Sequence, residues 1–104
     1  MALSIPIVAI PNQSLNVVLS NQNCTINLQT RNNKVFMDLF LNNVNIIYGR
    51  KLSITPVLPY DYMQSEFIGN FFLLNDDGNV IIDPDYRLFG VSQSLIYYTL
   101  SDLL

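Results

Sequence analysis

The sequence predicts an all-β chain, a small antiparallel β-barrel or tightly curled β-sandwich of about seven to eight strands. Apolar runs of strand length recur at short intervals, turn-forming residues separate them, and no segment sustains the 3.6-residue helical period over a helical length. Strands are expected near residues 3–10, 14–20, 24–31, 34–41, 44–54, 70–75, 79–82 and 93–100.

The opening stretch from Met1 to Pro11 is apolar but lacks a basic n-region, is interrupted by Pro6 and Pro11, and is too short to span a bilayer. It reads as mature sequence carrying the first strand. Residues 24–31, Cys-Thr-Ile-Asn-Leu-Gln-Thr-Arg, alternate apolar and polar side chains, which places Cys24, Ile26 and Leu28 inward and Thr25, Asn27 and Gln29 outward. The next strand, Lys-Val-Phe-Met-Asp-Leu-Phe-Leu, is apolar in both phases. Val35, Met37, Leu39 and Leu41 share one face, and Phe36 and Phe40 fall on the other. A strand apolar on both faces must bury both, and a chain this small points to another subunit as the cover for Phe36 and Phe40.

Asn21-Gln22-Asn23, Asn32-Asn33 and Asn42-Asn43 separate these runs. Asparagine tolerates the positive φ that tight hairpins require, so strands two to five should form a meander. The connection from Thr55 to Gly69 breaks that pattern, because Pro56, Pro59 and the polar Gln64-Ser65-Glu66 deny it a regular ladder. Asp77-Gly78 supplies a further turn into the short run 79–82. The segment Asp83 to Gly90 mixes turn formers with aromatics and precedes the last strand.

A chain of 104 residues makes one domain, taken as 1–104. Charged residues are 12% of it, against about 25% in an average globular protein, and hydrophobic residues are 50%. Much of its surface is therefore expected to be covered in use. The net charge is −3, and the five basic residues (Arg31, Lys34, Arg50, Lys51, Arg87) never cluster in sequence beyond a pair. That leaves no footprint for a phosphate backbone, and nucleic acid is not an expected partner. Cys24 is the only cysteine, which excludes an internal disulfide and fits a buried small hydrophobe. Asn23-Cys24-Thr25 and Asn12-Gln13-Ser14 match the glycosylation pattern, but among thirteen asparagines such matches arise by chance.

The chain holds no histidine, which removes the usual general base and the commonest metal ligand, and one cysteine cannot build a zinc site. Asn75-Asp76-Asp77-Gly78-Asn79 lacks the ligand spacing and closing glutamate of a calcium loop, so it reads as a solvated turn. Asp83 and Asp85 flank Pro84, where aspartate serves local backbone hydrogen bonds. No metal, cofactor or catalytic residue is assigned, and an enzyme is not expected. Tyrosines 60, 62, 97 and 98 could stack bases on an OB-like barrel, which keeps a stand-alone small-ligand or oligonucleotide-binding barrel as the alternative. Without basic neighbours they fit a core or a protein interface better. The expected docking surface joins the Thr55–Gly69 loop to the Asp83–Gly90 segment: Tyr60, Tyr62, Met63, Tyr86 and Phe89 supply its apolar part, and Asp61, Glu66 and Asp85 its polar rim.

Short motifs in order along nearly the whole chain carry a family resemblance. Ile5-Pro6-Ile7, Pro11-Asn12-Gln13, Asp38-Leu39-Phe40, Gly49-Arg50, Leu58-Pro59-Tyr60, Gly69-Asn70-Phe71, Asp85-Tyr86, Leu88-Phe89-Gly90 and Leu95-Ile96-Tyr97-Tyr98 together resemble the small baseplate plug proteins of contractile-tailed bacteriophages. Each motif is short; their order and spacing carry the match. The resemblance implies a non-enzymatic virion component, synthesised in the bacterial host cytoplasm. It would sit at the centre of the baseplate with hub, spike and tail tube, contact those proteins and copies of itself, and help close the tube lumen. It implies no membrane insertion. Asn42-Asn43 stands where the family tends to carry a glycine turn, and the Asp76 to Ile82 hairpin looks inserted. Both departures concern local turn shape.

Overall fold

A computed structural model describes residues 3–53, 56–58, 67–75 and 84–99. Within them lie seven strands: β1 (Leu3–Ile5), β2 (Gln13–Leu19), β3 (Gln22–Arg31), β4 (Lys34–Leu41), β5 (Val44–Lys51), β6 (Asn70–Asn75) and β7 (Gln93–Tyr98), with a single 3-10 turn at Tyr86–Leu88. The expected strand at 79–82 and the Asp77-Gly78 turn lie outside the described residues.

The meander forms as expected. Strands β2 to β5 make a four-stranded antiparallel sheet in sequence order, and β1, β7 and β6 make a three-stranded one. Each meander hairpin closes through two residues at positive φ: Ser20 and Asn21, Asn32 and Asn33, Asn42 and Asn43. Such mirror-image turns match the right-handed twist of the flanking strands. The first turn sits one residue earlier than its asparagines indicate, at Ser20-Asn21, and Gln22 and Asn23 belong to β3.

Among the described residues no ladder joins the two sheets, so the barrel is not closed and the architecture is sandwich-like. The edges explain why. β1 is only three residues long, and β5 shifts register against β4 between Met37 and Leu39 and again between Leu39 and Phe40. The first strand ends at Ile5 rather than near residue 10 because Pro6 cannot donate to a ladder. Ile7 N–H instead turns back to Ile5 C=O (2.7 Å), bending the chain away.

One continuous core lies between the sheets. The large sheet contributes Cys24, Ile26, Leu28, Val35, Met37 and Leu39, and the small sheet Ile5, Phe71, Leu73, Leu95 and Tyr97. The inward phase read for β3 is therefore correct, with Thr25 and Asn27 half-buried and Gln29 exposed on the other face. Leu28 is 1% exposed, so Leu28→Ala should cost about 2–5 kcal/mol through cavity formation. Urea denaturation checks it, and a loss below about 0.5 kcal/mol would show that neighbouring side chains collapse into the space.

Candidate partner-docking surface

Strand β4 divides its side chains between two environments. Val35, Met37 and Leu39 are buried in the sandwich, while Phe36 and Phe40 lie half-buried on the outer face. Between the phenylalanines sits Asp38, only 5% exposed. Its Oδ1 accepts the N–H of Gly49 at 2.6 Å. The cause is the bulge: Arg50 pairs with Met37 and Ile47 with Leu39, so Tyr48 and Gly49 together oppose Asp38. Gly49 takes φ +65 there, and the carboxylate satisfies an N–H that the irregular register leaves over.

Around the phenylalanines the outer face is polar and in part internally bonded. Ser14 Oγ donates to Asn27 Oδ1 (2.6 Å), Thr25 Oγ1 donates to Asn16 Oδ1 (2.8 Å), and the Arg31 guanidinium lies 4.6 Å over the Phe36 ring. A partner covering Phe36 and Phe40 would meet these polar groups already paired. Tyr48, 80% exposed, adds an aromatic beside it on β5.

The strand register gathers cations that are scattered in sequence. Arg31 pairs with Lys34, Lys51 with Phe36 and Arg50 with Met37, which puts four basic residues at one end of the large sheet. A cleft of about 860 Å³ opens there, lined by Thr30, Lys34, Lys51, Tyr86 and Arg87 among others. Across it, Asp85 caps the 3-10 turn by accepting from Arg87 N–H (3.0 Å) and holds the Arg87 side chain with both oxygens (3.0 and 2.8 Å). The hydrogen bonds from Arg87 hold the Asp85 carboxyl below the usual carboxylate range.

The expected docking residues therefore divide. Phe36 and Phe40 share the outer face, and Tyr86 is half-buried against the core. Phe89 is 1% exposed and part of the core, so it anchors its segment and has no surface to offer a partner. Gly90 follows at φ +76, where a Cβ would sit 2.8 Å from the Ile7 carbonyl oxygen. Tyr60, Tyr62 and Met63, with Asp61 and Glu66, lie outside the described residues.

What the structure does describe is how the flanks of residues 59–66 are held, which no sequence pattern revealed. Asn70 grips Leu58: Oδ1 accepts Leu58 N–H (2.8 Å) and Nδ2 donates to Leu58 C=O (2.9 Å). Gln22 grips Ile68 the same way, accepting its N–H and donating to its C=O, both at 3.0 Å. Each amide imitates a neighbouring strand for one residue. The available signal was an asparagine at position 70 amid Phe67, Phe71 and Phe72, where an unpaired amide would be costly. Gln13 repeats the device on Val8, at 3.0 and 2.8 Å.

Cys24 is buried, and desolvation pushes its thiol above the ordinary range. Among the described residues no cluster of three or more His, Cys, Asp or Glu side chains is arranged to hold a metal ion.

Two comparisons bear on the chain as a whole. The model of a protein family described as cyanophage baseplate Pam3 plug gp18 matches residues 2–101. No curated protein matches the chain.

Proposed function

We propose, on the premise that the chain belongs to the cyanophage baseplate plug family, that it is a non-catalytic structural part of a contractile phage tail. It sits at the central hub and spike region, contacts hub, spike and tail-tube subunits, and helps close the tube lumen. The observation that carries this reading is the reach of the family match, residues 2–101, which takes in every described strand.

The docking surface follows from the two-faced strand β4. Phe36 and Phe40 are its apolar centre; a second docking contact is carried by Tyr60, Tyr62 and Met63, aromatic and flexible apolar groups of the kind interface centres favour. Tyr86 contributes at the cleft. With Arg31, Lys34, Arg50 and Lys51 bordering Phe36 and the ends of its neighbouring strands, the partner surface is acidic, which steers docking and fixes its register.

The test is incorporation into tail particles. Phe36→Ser with Phe40→Ser, and separately Tyr60→Ala with Tyr62→Ala, should each weaken incorporation by more than about 1 kcal/mol per residue, read as reduced occupancy in particles assembled at limiting protein. Circular dichroism should show unchanged folding. Full occupancy with both double variants would sink the docking surface, and absence of the wild-type chain from purified particles would sink the structural role itself.

A further inference from the structure

Each sheet has two edges, and three of the four are blunted. β1 is three residues long, β5 carries two register shifts with Arg50 and Lys51 at its end, and β6 is engaged by Val57 N–H on Phe71 C=O (2.9 Å) beside the Asn70 grip on Leu58. Short length, bulges, charge and coverage are the devices by which proteins protect sheet edges. Among the described residues β2 has none of them. Its seven residues, Gln-Ser-Leu-Asn-Val-Val-Leu, hold no charge and no proline, and they pair with β3 without a break from Gln13 to Leu19.

The hairpin register says which backbone groups face outward. Leu19 and Gln22 close the two-residue turn Ser20-Asn21, and such a closing pair exchanges hydrogen bonds. Bonded and unbonded pairs alternate from there, so the N–H and C=O of Ser14, Asn16 and Val18 point away from β3. All three residues are exposed, Val18 at 63%. Among the described residues nothing bonds these outward groups.

We infer that β2 is an intermolecular pairing edge, and that its occupant is β2 of a second copy, antiparallel across a two-fold axis at Asn16. The self-complementarity of the strand selects the occupant. Asn16 is its midpoint, so this register overlaps all seven residues and sets one Asn16 amide against the other. It also places Leu15 of each copy opposite Val17 of the other on the inner face. Both are half-buried at the margin of the core, and each would be covered by the partner's apolar side chain. The two four-stranded sheets then join into one. This pairing does not depend on the plug reading.

The experiment uses the purified full chain. Sedimentation velocity of the wild type should show a concentration-dependent dimer. Asn16→Lys and Asn16→Asp, each placing like charges opposite across the axis, should each be monomeric with unchanged circular dichroism, and their equimolar mixture should recover the dimer. Asn16→Cys in a Cys24→Ala background should oxidise to a covalent dimer, since directly opposed strand residues lie within disulfide reach; Asn45→Cys on the β5 edge should not. A wild type that stays monomeric with no Asn16→Cys cross-link, or dimers that persist in Asn16→Lys, would overturn the inference.

Discussion

Replacing Asn70 by leucine is expected to lower the unfolding free energy by on the order of 4 kcal/mol. The side chain is 1% exposed, and its Oδ1 accepts from Leu58 N–H and Phe71 N–H, both at 2.8 Å, while Nδ2 donates to Leu58 C=O at 2.9 Å. Leucine has a similar volume, so the cost is not that of a cavity. It comes from buried backbone groups left without partners, at about 1–3 kcal/mol each. Leu58 is itself buried, and water cannot readily replace the amide. Urea denaturation reads the loss. Asn70→Asp separates the contributions, because it keeps an acceptor for the N–H groups and removes the donor to the carbonyl. A loss under about 1 kcal/mol for Asn70→Leu would mean that Leu58 is held by packing alone.

Gly69→Ala should cost about 3 kcal/mol or more. Gly69 has φ +102, and a Cβ there would stand 2.7 Å from Cζ and from the hydroxyl oxygen of Tyr97. That ring cannot retreat: it is 1% exposed and packs against Phe71 (5.5 Å) and edge-on to Phe67 (6.0 Å). Its hydroxyl is tethered as well, donating to Ile68 C=O at 2.6 Å, which makes the Ser20 hydroxyl the donor in their 2.8 Å contact. Gly49→Ala is the control. It has φ +65 with nothing within 4 Å of the added carbon, so only the left-handed backbone penalty of about 1–2 kcal/mol applies. Thermal unfolding should place Gly69→Ala well below Gly49→Ala, and equal melting temperatures would remove the packing argument.

The resemblance read from the ordered motifs agrees with the family match, and both rest on the whole chain rather than on any one site. The faces of the candidate docking residues were less legible. Phe36 and Phe40 were identifiable because period-two alternation assigns a face to every residue of a strand whose register is known. Phe89 was misassigned to the surface. It lies among turn formers in an irregular segment, where no period assigns a face, and its burial depends on contacts with residues distant in the chain.

By itself the sequence determined the meander and its inward face. Strands β2 to β5 are joined by two-residue turns, so pairing costs little loop-closure entropy and follows from asparagine turn chemistry and alternation alone. Only the tertiary structure decided the rest. β1 pairs with β7, joining Leu3 to Tyr97 across nearly the whole chain; β5 shifts register against β4 and leaves the Gly49 N–H to Asp38; and the cations of three strand ends meet beside one cleft. None of these has a local signal, because each is selected by what the assembled sheets bury and by which backbone groups they leave unpaired.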